Sequence, residues 1–217
     1  MKLQRVQQRG EDRRRLILET AIKLFGEKGY DRTSIPDIIK ASGGSNSMIY
    51  QTFGGKQGLF RAAVSHLIEQ TFESTSVTAE QAPSLHDELY LYGHALLTAF
   101  LEDGAFGLQR LVAGEAGRYP ELGDVFYHLG VEQSYLHVEG ILKRHTSLPD
   151  TKVTRLAAYF VESLKFGCYR RKLLLNTEPA SGEIDADVSL AVDALIGFVD
   201  KQKVAPVMGS LFDPHEL

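Results

Sequence analysis

Apolar residues recur at the 3.6-residue spacing of an amphipathic helix along nearly the whole chain. Ile17, Ala21, Leu24 and Phe25 fall at i, i+4, i+7 and i+8 and predict a helix over about 11–28. Gly29 stops it, because glycine accepts the backbone that ends helices. A second helix is predicted from Ser34, where Ser-Ile-Pro-Asp is a variant of the capping box and Pro36 is tolerated in the first turn. A short third helix follows over about 45–51, behind the pair Gly43-Gly44. A fourth begins near Gly55 and carries Phe60, Ala63, Val64, Leu67 and Ile68 on one stripe. Residues 74–84, "STSVTAEQAPS", are polar, contain Pro83, and read as a link. Beyond them the pattern predicts helices at about 85–102, 105–117, 120–145, 151–175 and 184–203, punctuated by Gly104, Pro120, Pro149 and "NTEPASGE". The last 14 residues read as irregular. Alternating Val, Ile and Thr runs are missing, so the expected fold is all-α with about nine helices.

Composition changes this picture in two ways. The chain has 217 residues, 43% of them apolar, enough for a sizeable core in one large domain or a medium domain with a small one. Its net charge of −4 argues against a polyanionic partner until its distribution is read. Residues 1–61 hold 12 Lys and Arg against 6 Asp and Glu, whereas residues 62–217 hold 12 against 22. A basic head on an acidic body directs any polyanion to the head. Cys168 is the lone cysteine, which fits a reducing compartment. "MKLQRVQQRGEDRRR" lacks the apolar core of a signal peptide, and no run approaches the roughly 18 apolar residues that cross a membrane. A cytoplasmic location without membrane contact is the expectation.

The stretch "SIPDIIKASGGSNSMIYQTFGGK", Ser34 to Lys56, is a helix, a glycine-containing turn and a second short helix. Gly43 suits the left-handed end of the first helix, and Ala41 lets the two helices approach. Ile38, Ile39, Met48 and Ile49 supply the apolar face. Ser45 caps the second helix, which leaves Asn46, Ser47 and Gln51 on its exposed N-terminal side. In a helix-turn-helix that end enters the major groove, where Asn and Gln pair bidentately with adenine and Ser reads less specifically. Thr33 and Ser34 at a helix N-terminus, Tyr50 one turn along, and Lys56 behind Gly54-Gly55 suit phosphate contacts.

"RRRLILETAIKLFGEKGYDRTSIPDIIKASGGSNSMIYQTFGGKQGLFRAAV" resembles the DNA-binding head of the TetR/AcrR family of bacterial transcriptional regulators, over about residues 14–64. The resemblance implies a helical DNA-binding domain over 1–65 and a larger helical ligand-binding and dimerising domain over 66–217. It places the family's phosphate-contacting tyrosine and lysine on Tyr50 and Lys56, and the threonine that starts the second helix on Thr33. Gly44 departs from the family's branched apolar residue, Ser47 from a common glycine, and Thr52 from a frequent histidine. "LQRLVAGEAGRYPELGDVFY", Leu108 to Tyr127, is similar to the AefR-like C-terminal branch.

In the body, Val153, Ala157, Phe160, Leu164 and Cys168 form one stripe, and Ile184, Val188, Ala191, Leu195 and Val199 another. Such helices either pair with their copies in a four-helix dimer interface or fill one protomer's core; the resemblance favours the dimer. A pocket for an unidentified small-molecule effector between body helices is expected to draw on Tyr92, His94, Phe100, Phe106, Arg110, Phe126 and Tyr127. His128 stands at helical spacing from Asp124 and Glu132, but no zinc-binding pattern accompanies it, so no metal and no cofactor are expected. No GxSxG, P-loop, dinucleotide fingerprint or HExxH occurs, so no enzyme activity is expected. The leading expectation is a ligand-responsive repressor that binds an inverted-repeat DNA operator as a homodimer. The alternatives are an all-helical enzyme or a protein-interaction scaffold carrying a helix-turn-helix head.

Overall fold

Helix boundaries follow the sequence pattern except at four places, two of which involve contacts between distant segments. A computed structural model describes residues 2–79 and 82–204, with side-chain environments over 8–70 and 82–201. The elements are α1 Lys2–Lys28, α2 Ile35–Ser42, α3 Asn46–Phe53, α4 Lys56–Ala79, α5 Leu85–Leu101, α6 Asp103–Glu115 and α7 Pro120–Phe126. A π-helical turn, Tyr127–Val131, leads into α8 Glu132–His145, followed by α9 Asp150–Ser163, α10 Cys168–Leu175 and α11 Glu183–Val204. Among the described residues there is no strand, and no helix is long and apolar enough to cross a membrane.

Gly29 ends α1 with φ +85°, its N–H donating to the Phe25 carbonyl at 3.0 Å. The helix starts at Lys2, ahead of the expected 11, because Lys, Arg and Gln favour helix without leaving an apolar stripe to detect. The polar stretch expected as a link is helical over 74–79, since no Gly or Pro interrupts α4 after Gly58; residues 80 and 81 lie outside the described residues. The irregular tail is likewise outside them from residue 205 onward. The pattern over 120–145 divides at the π turn, where Gly130 packs on Ile68. The pattern over 151–175 divides between Ser163 and Cys168. There Gly167 takes φ −91°, ψ −111°, and the Asp187 carboxylate accepts the Cys168 N–H at 2.7 Å. These two divisions turn the expected nine helices into eleven α-helices among the described residues.

The chain forms two compact units. The first comprises Met1–Val77 and Ala95–Ser134. Its core joins Ile17, Leu18, Phe25, Ile38, Ile49 and Phe60 to Leu108, Leu111, Val112 and Leu122. Phe25, Tyr30 and Phe60 meet with centroids 5.5–5.7 Å apart. Burying each such large side chain contributes about 1.5–3 kcal/mol. α1 and α6 touch backbone to backbone: a Cβ on Gly26 would lie 3.3 Å from the Gly107 Cα. The helix-turn-helix therefore shares its core with α6 and α7.

The second unit comprises Thr78–His94 and Tyr135–Leu217. Val153, Ala157, Phe160, Leu164 and Cys168, with Val188, Ala191, Leu195 and Val199, are at most 3% exposed and fill this unit's own core. Only Ile184 of the two expected stripes is partly exposed. The exposed apolar side chains of α9 and α11 are others, Tyr159, Leu190 and Phe198, with Tyr159 and Phe198 edge to face at 5.9 Å; Phe166, Leu173, Leu174 and Leu175 are exposed beside them in sequence, and Leu91 and Leu136 elsewhere in the unit. Glu88, 3% exposed, is held by Arg144 and by His145 at 2.6 Å.

Candidate nucleic-acid interface

The turn between α2 and α3 is built by two glycines and an arginine. Gly43 has φ +77° with an extended ψ of 175°, not the left-handed helical end the sequence suggests. Gly44 has φ +111°, and the methyl of Met48 fills the place of its missing side chain, 2.7 Å from where a Cβ would sit. An L side chain at either position is strained by backbone alone. Arg13 reaches over Gly43 and donates from Nη1 to the Ser42 carbonyl at 2.8 Å. Sequence reasoning missed Arg13, because nothing in the run "RRR" distinguishes the arginine that turns inward.

Ser45 caps α3 by accepting the Met48 N–H at 3.2 Å. Ile49 is buried and Met48 and Phe53 are half-buried, which orients the helix. Asn46, Ser47, Tyr50 and Gln51 then face solvent together, Tyr50 being 60% exposed. Gly54, left-handed at φ +77°, ends the helix. Gly55, at φ +114°, brings the chain against the Tyr50 ring. Lys56 is half-buried: its Nζ lies 4.3 Å from the Tyr30 ring centroid and donates to the Asp31 carbonyl at 3.3 Å. Burial lowers its pKa from the ordinary lysine value, with Asp31 opposing the shift.

Two expected phosphate contacts look different in three dimensions. Thr33 is fully buried, its hydroxyl 2.8 Å from the Gly29 carbonyl and 3.0 Å from that of Leu24. Its side chain ties the end of α1 to the start of α2 and does not reach solvent. Ser34 is exposed but committed: its N–H and hydroxyl donate to the Asp37 carboxylate at 3.1 and 2.6 Å, completing a capping box. The hydroxyl and then the main-chain N–H of Ser34 hold the Asp37 carboxyl below the usual range. The N-terminus of α2 is thus already charge-compensated.

The seven effector candidates are divided between the units. Tyr92 and His94 belong to the second and Phe100, Phe106, Arg110, Phe126 and Tyr127 to the first. Tyr92 is fully buried and stacked on His137 at 4.3 Å, a core contact. His94 sits 3.4 Å from Asp185. Phe106 is buried, Phe100 and Phe126 are half-buried, and Arg110 and Tyr127 are exposed. None of the seven lines the open groove of about 350 Å³ bounded by Glu162, Phe166, Tyr169 and Arg170, nor the one along 150–155. His128 lies 3.0 Å from Glu132, and among the described residues no group of three or more His, Cys, Asp or Glu is placed to hold a metal ion.

Comparison with known proteins matches two separate stretches of the chain. Residues 17–63 match the family model "Bacterial regulatory proteins, tetR family". Residues 87–198 match "AefR-like transcriptional repressor, C-terminal domain". The HTH-type transcriptional repressor ComR of Escherichia coli is 40% identical over 53 residues, 24% of this chain and 25% of ComR, so the shared sequence spans a quarter of that relative. A TetR-family regulator structure from Mesorhizobium loti superimposes with a TM-score of 0.74 at 22% identity, covering 88% of this chain and 98% of that one. A TetR regulator from Agrobacterium tumefaciens gives 0.67 at 26% identity over 86% and 93% of the two chains. A capped, outward-facing third helix on a fold shared along most of the chain, with the second family model alone covering more than half of it, establishes that the chain belongs to the TetR family of bacterial regulatory proteins.

Proposed function

We propose that the protein is a ligand-responsive transcriptional repressor that binds an inverted-repeat operator as a homodimer and releases it when a small-molecule effector binds. In this reading residues 1–65 contact DNA and residues 66–217 carry effector binding and dimerisation. The observation that carries it is the exposed set Asn46, Ser47, Tyr50 and Gln51 on the Ser45-capped helix α3. Asn46, Ser47 and Gln51 read base edges in the major groove; Tyr50 and Lys56 contact phosphates. Ser34 adds a phosphate contact only after releasing Asp37, and Thr33 serves as an internal tie. The exposed apolar side chains of α9 and α11, Tyr159, Leu190 and Phe198, form the dimer seam, in place of the two stripes for which periodicity left a dimer interface or the protomer's own core open and the resemblance favoured the dimer. Two-fold symmetry requires two inverted half-sites, with reading helices about 34–36 Å apart or a multiple of that. The effector acts by preferring one conformational state, and its differential affinity limits the response.

The test is to select binding sites from a random duplex pool, then compare the selected and random duplexes at one fixed salt. Asn46→Ala and Gln51→Ala are expected to lose about 1–3 kcal/mol on the selected duplex and little on the random one. Equal loss on both duplexes would show that α3 positions the protein without reading sequence.

A further inference from the structure

Lys56, the cation assigned to a phosphate in the proposed interface, is held by more than the helix-turn-helix. Its Nζ bonds the carbonyl oxygen of Asp31 and rests over the Tyr30 ring. The carboxylate of the same Asp31 is gripped by two side chains from the segment joining α6 to α7. Arg118 Nη1 lies 2.5 Å from Oδ2, and the Tyr119 hydroxyl donates to Oδ1. The Asp31 hydrogen bond raises the Tyr119 pKa, which keeps that hydroxyl protonated as the donor. The Tyr119 ring also packs 5.2 Å from that of Tyr30, with Arg118 Cζ 5.2 Å from the Tyr119 ring. One dipeptide, Tyr30-Asp31, is therefore fastened to Lys56 through its ring and main chain and to residues 118–119 through its ring and carboxylate. Asp31 and Tyr119 are 88 residues apart in sequence, and both lie in the first unit.

The geometry points to a latch in which Arg118 and Tyr119, outside the helix-turn-helix, are positioning residues that set Lys56 for its phosphate through Asp31. The inference rests on the DNA-binding reading above. A lysine side chain on a mobile stem loses rotamer freedom when it settles on a phosphate. Fixing its acceptor and the ring beneath it in the free protein removes part of that loss before DNA arrives. With Arg118 68% and Asp31 39% exposed, their pairing contributes little to global stability, so losing it should not unfold the protein. A shift of the α6–α7 segment that parts Asp31 from residues 118–119 would loosen Lys56 without touching α3.

The test uses the full chain and a fluorescent random-sequence duplex about three helical turns long, titrated by anisotropy across a salt series. Tyr119→Phe, which keeps the ring, and Arg118→Gln are each expected to weaken binding roughly two- to ten-fold with an unchanged melting temperature. Lys56→Ala is expected to lower the salt slope by about one unit. The decisive arm is Tyr119→Phe in the Lys56→Ala background, where the latch has nothing left to position. There it should have no further effect. The same fold-loss with and without Lys56 overturns the latch, as does full affinity for Tyr119→Phe or Arg118→Gln, or an affinity loss that follows a fall in melting temperature. A wild-type chain that binds no duplex at low salt overturns the DNA-binding reading and the latch together. Wild-type binding with additive losses overturns the latch alone.

Discussion

Gly58, in the first turn of α4, separates helix propensity from packing. Propensity predicts that Gly58→Ala stabilises a helical site by up to about 1 kcal/mol. The structure reverses the sign. A Cβ at Gly58 would lie 1.7 Å from the carbonyl oxygen of Phe53 and 2.9 Å from its carbonyl carbon. Carbon–oxygen contacts settle near 3.3 Å, so the chain must open by roughly 1.6 Å. The obstacle is main chain, which no rotamer change removes. Forced overpacking costs typically 1–3 kcal/mol, and a backbone clash belongs at the upper end. Set against the propensity gain, the net loss is about 2 kcal/mol, or a melting temperature roughly 4–8 °C lower for a chain of this size. Gly140→Ala in α8 is the control: its nearest obstacle is Arg144 Nη1 at 3.5 Å, an ordinary contact. It should gain up to about 1 kcal/mol. Thermal unfolding followed by circular dichroism reads both, and duplex binding reads any displacement of α3. A Gly58→Ala protein that melts at or above the wild-type temperature would refute the reasoning.

Three further outcomes follow from particular contacts. Burial first, then Asp187, push the Cys168 thiol to about 12, so alkylation at pH 8 should be negligible in the native chain and prompt after unfolding; fast native labelling contradicts this. If the proposed homodimer seam is right, Leu190→Glu with Phe198→Ser should give a folded monomer, whereas Leu195→Ala should keep the assembly and lose about 2–5 kcal/mol of stability; sedimentation and denaturant unfolding distinguish them. Asp37 and Asp87 are held below the usual carboxylate range, chiefly by the Ser34 and Ser84 hydroxyls. A depressed folded pKa means their stabilisation is present above the ordinary value and lost as pH falls through the lowered one. The melting temperature should therefore drop more steeply between pH 5 and 3 in the wild type than in Asp37→Asn with Asp87→Asn, and parallel curves would count against it.

The sequence alone determined the features whose causes are local. Ser34 and Ser45 cap α2 and α3, Gly29 stops α1, and Ile38 and Ile49 lie on buried faces, because each depends on residues within one or two turns. The exposure of Asn46, Ser47 and Gln51 followed from the Ser45 cap and the apolar face opposite, whereas the 60% exposure of Tyr50 was decided by packing. What a periodic stripe does not contain is the identity of the surface that covers it. Leu195 and Phe160 were legible as apolar positions, but only packing assigned them to the protomer's own core and left Leu190 and Phe198 outside. Thr33 shows the same limit for a polar side chain, since the carbonyls that take up its hydroxyl come from the preceding helix end. The break before Cys168 needed Asp187, nineteen residues onward, and the Asp31 clamp needed Tyr119, eighty-eight residues onward. Such contacts arise when chain closure brings distant segments together, and no local preference encodes which segments those will be.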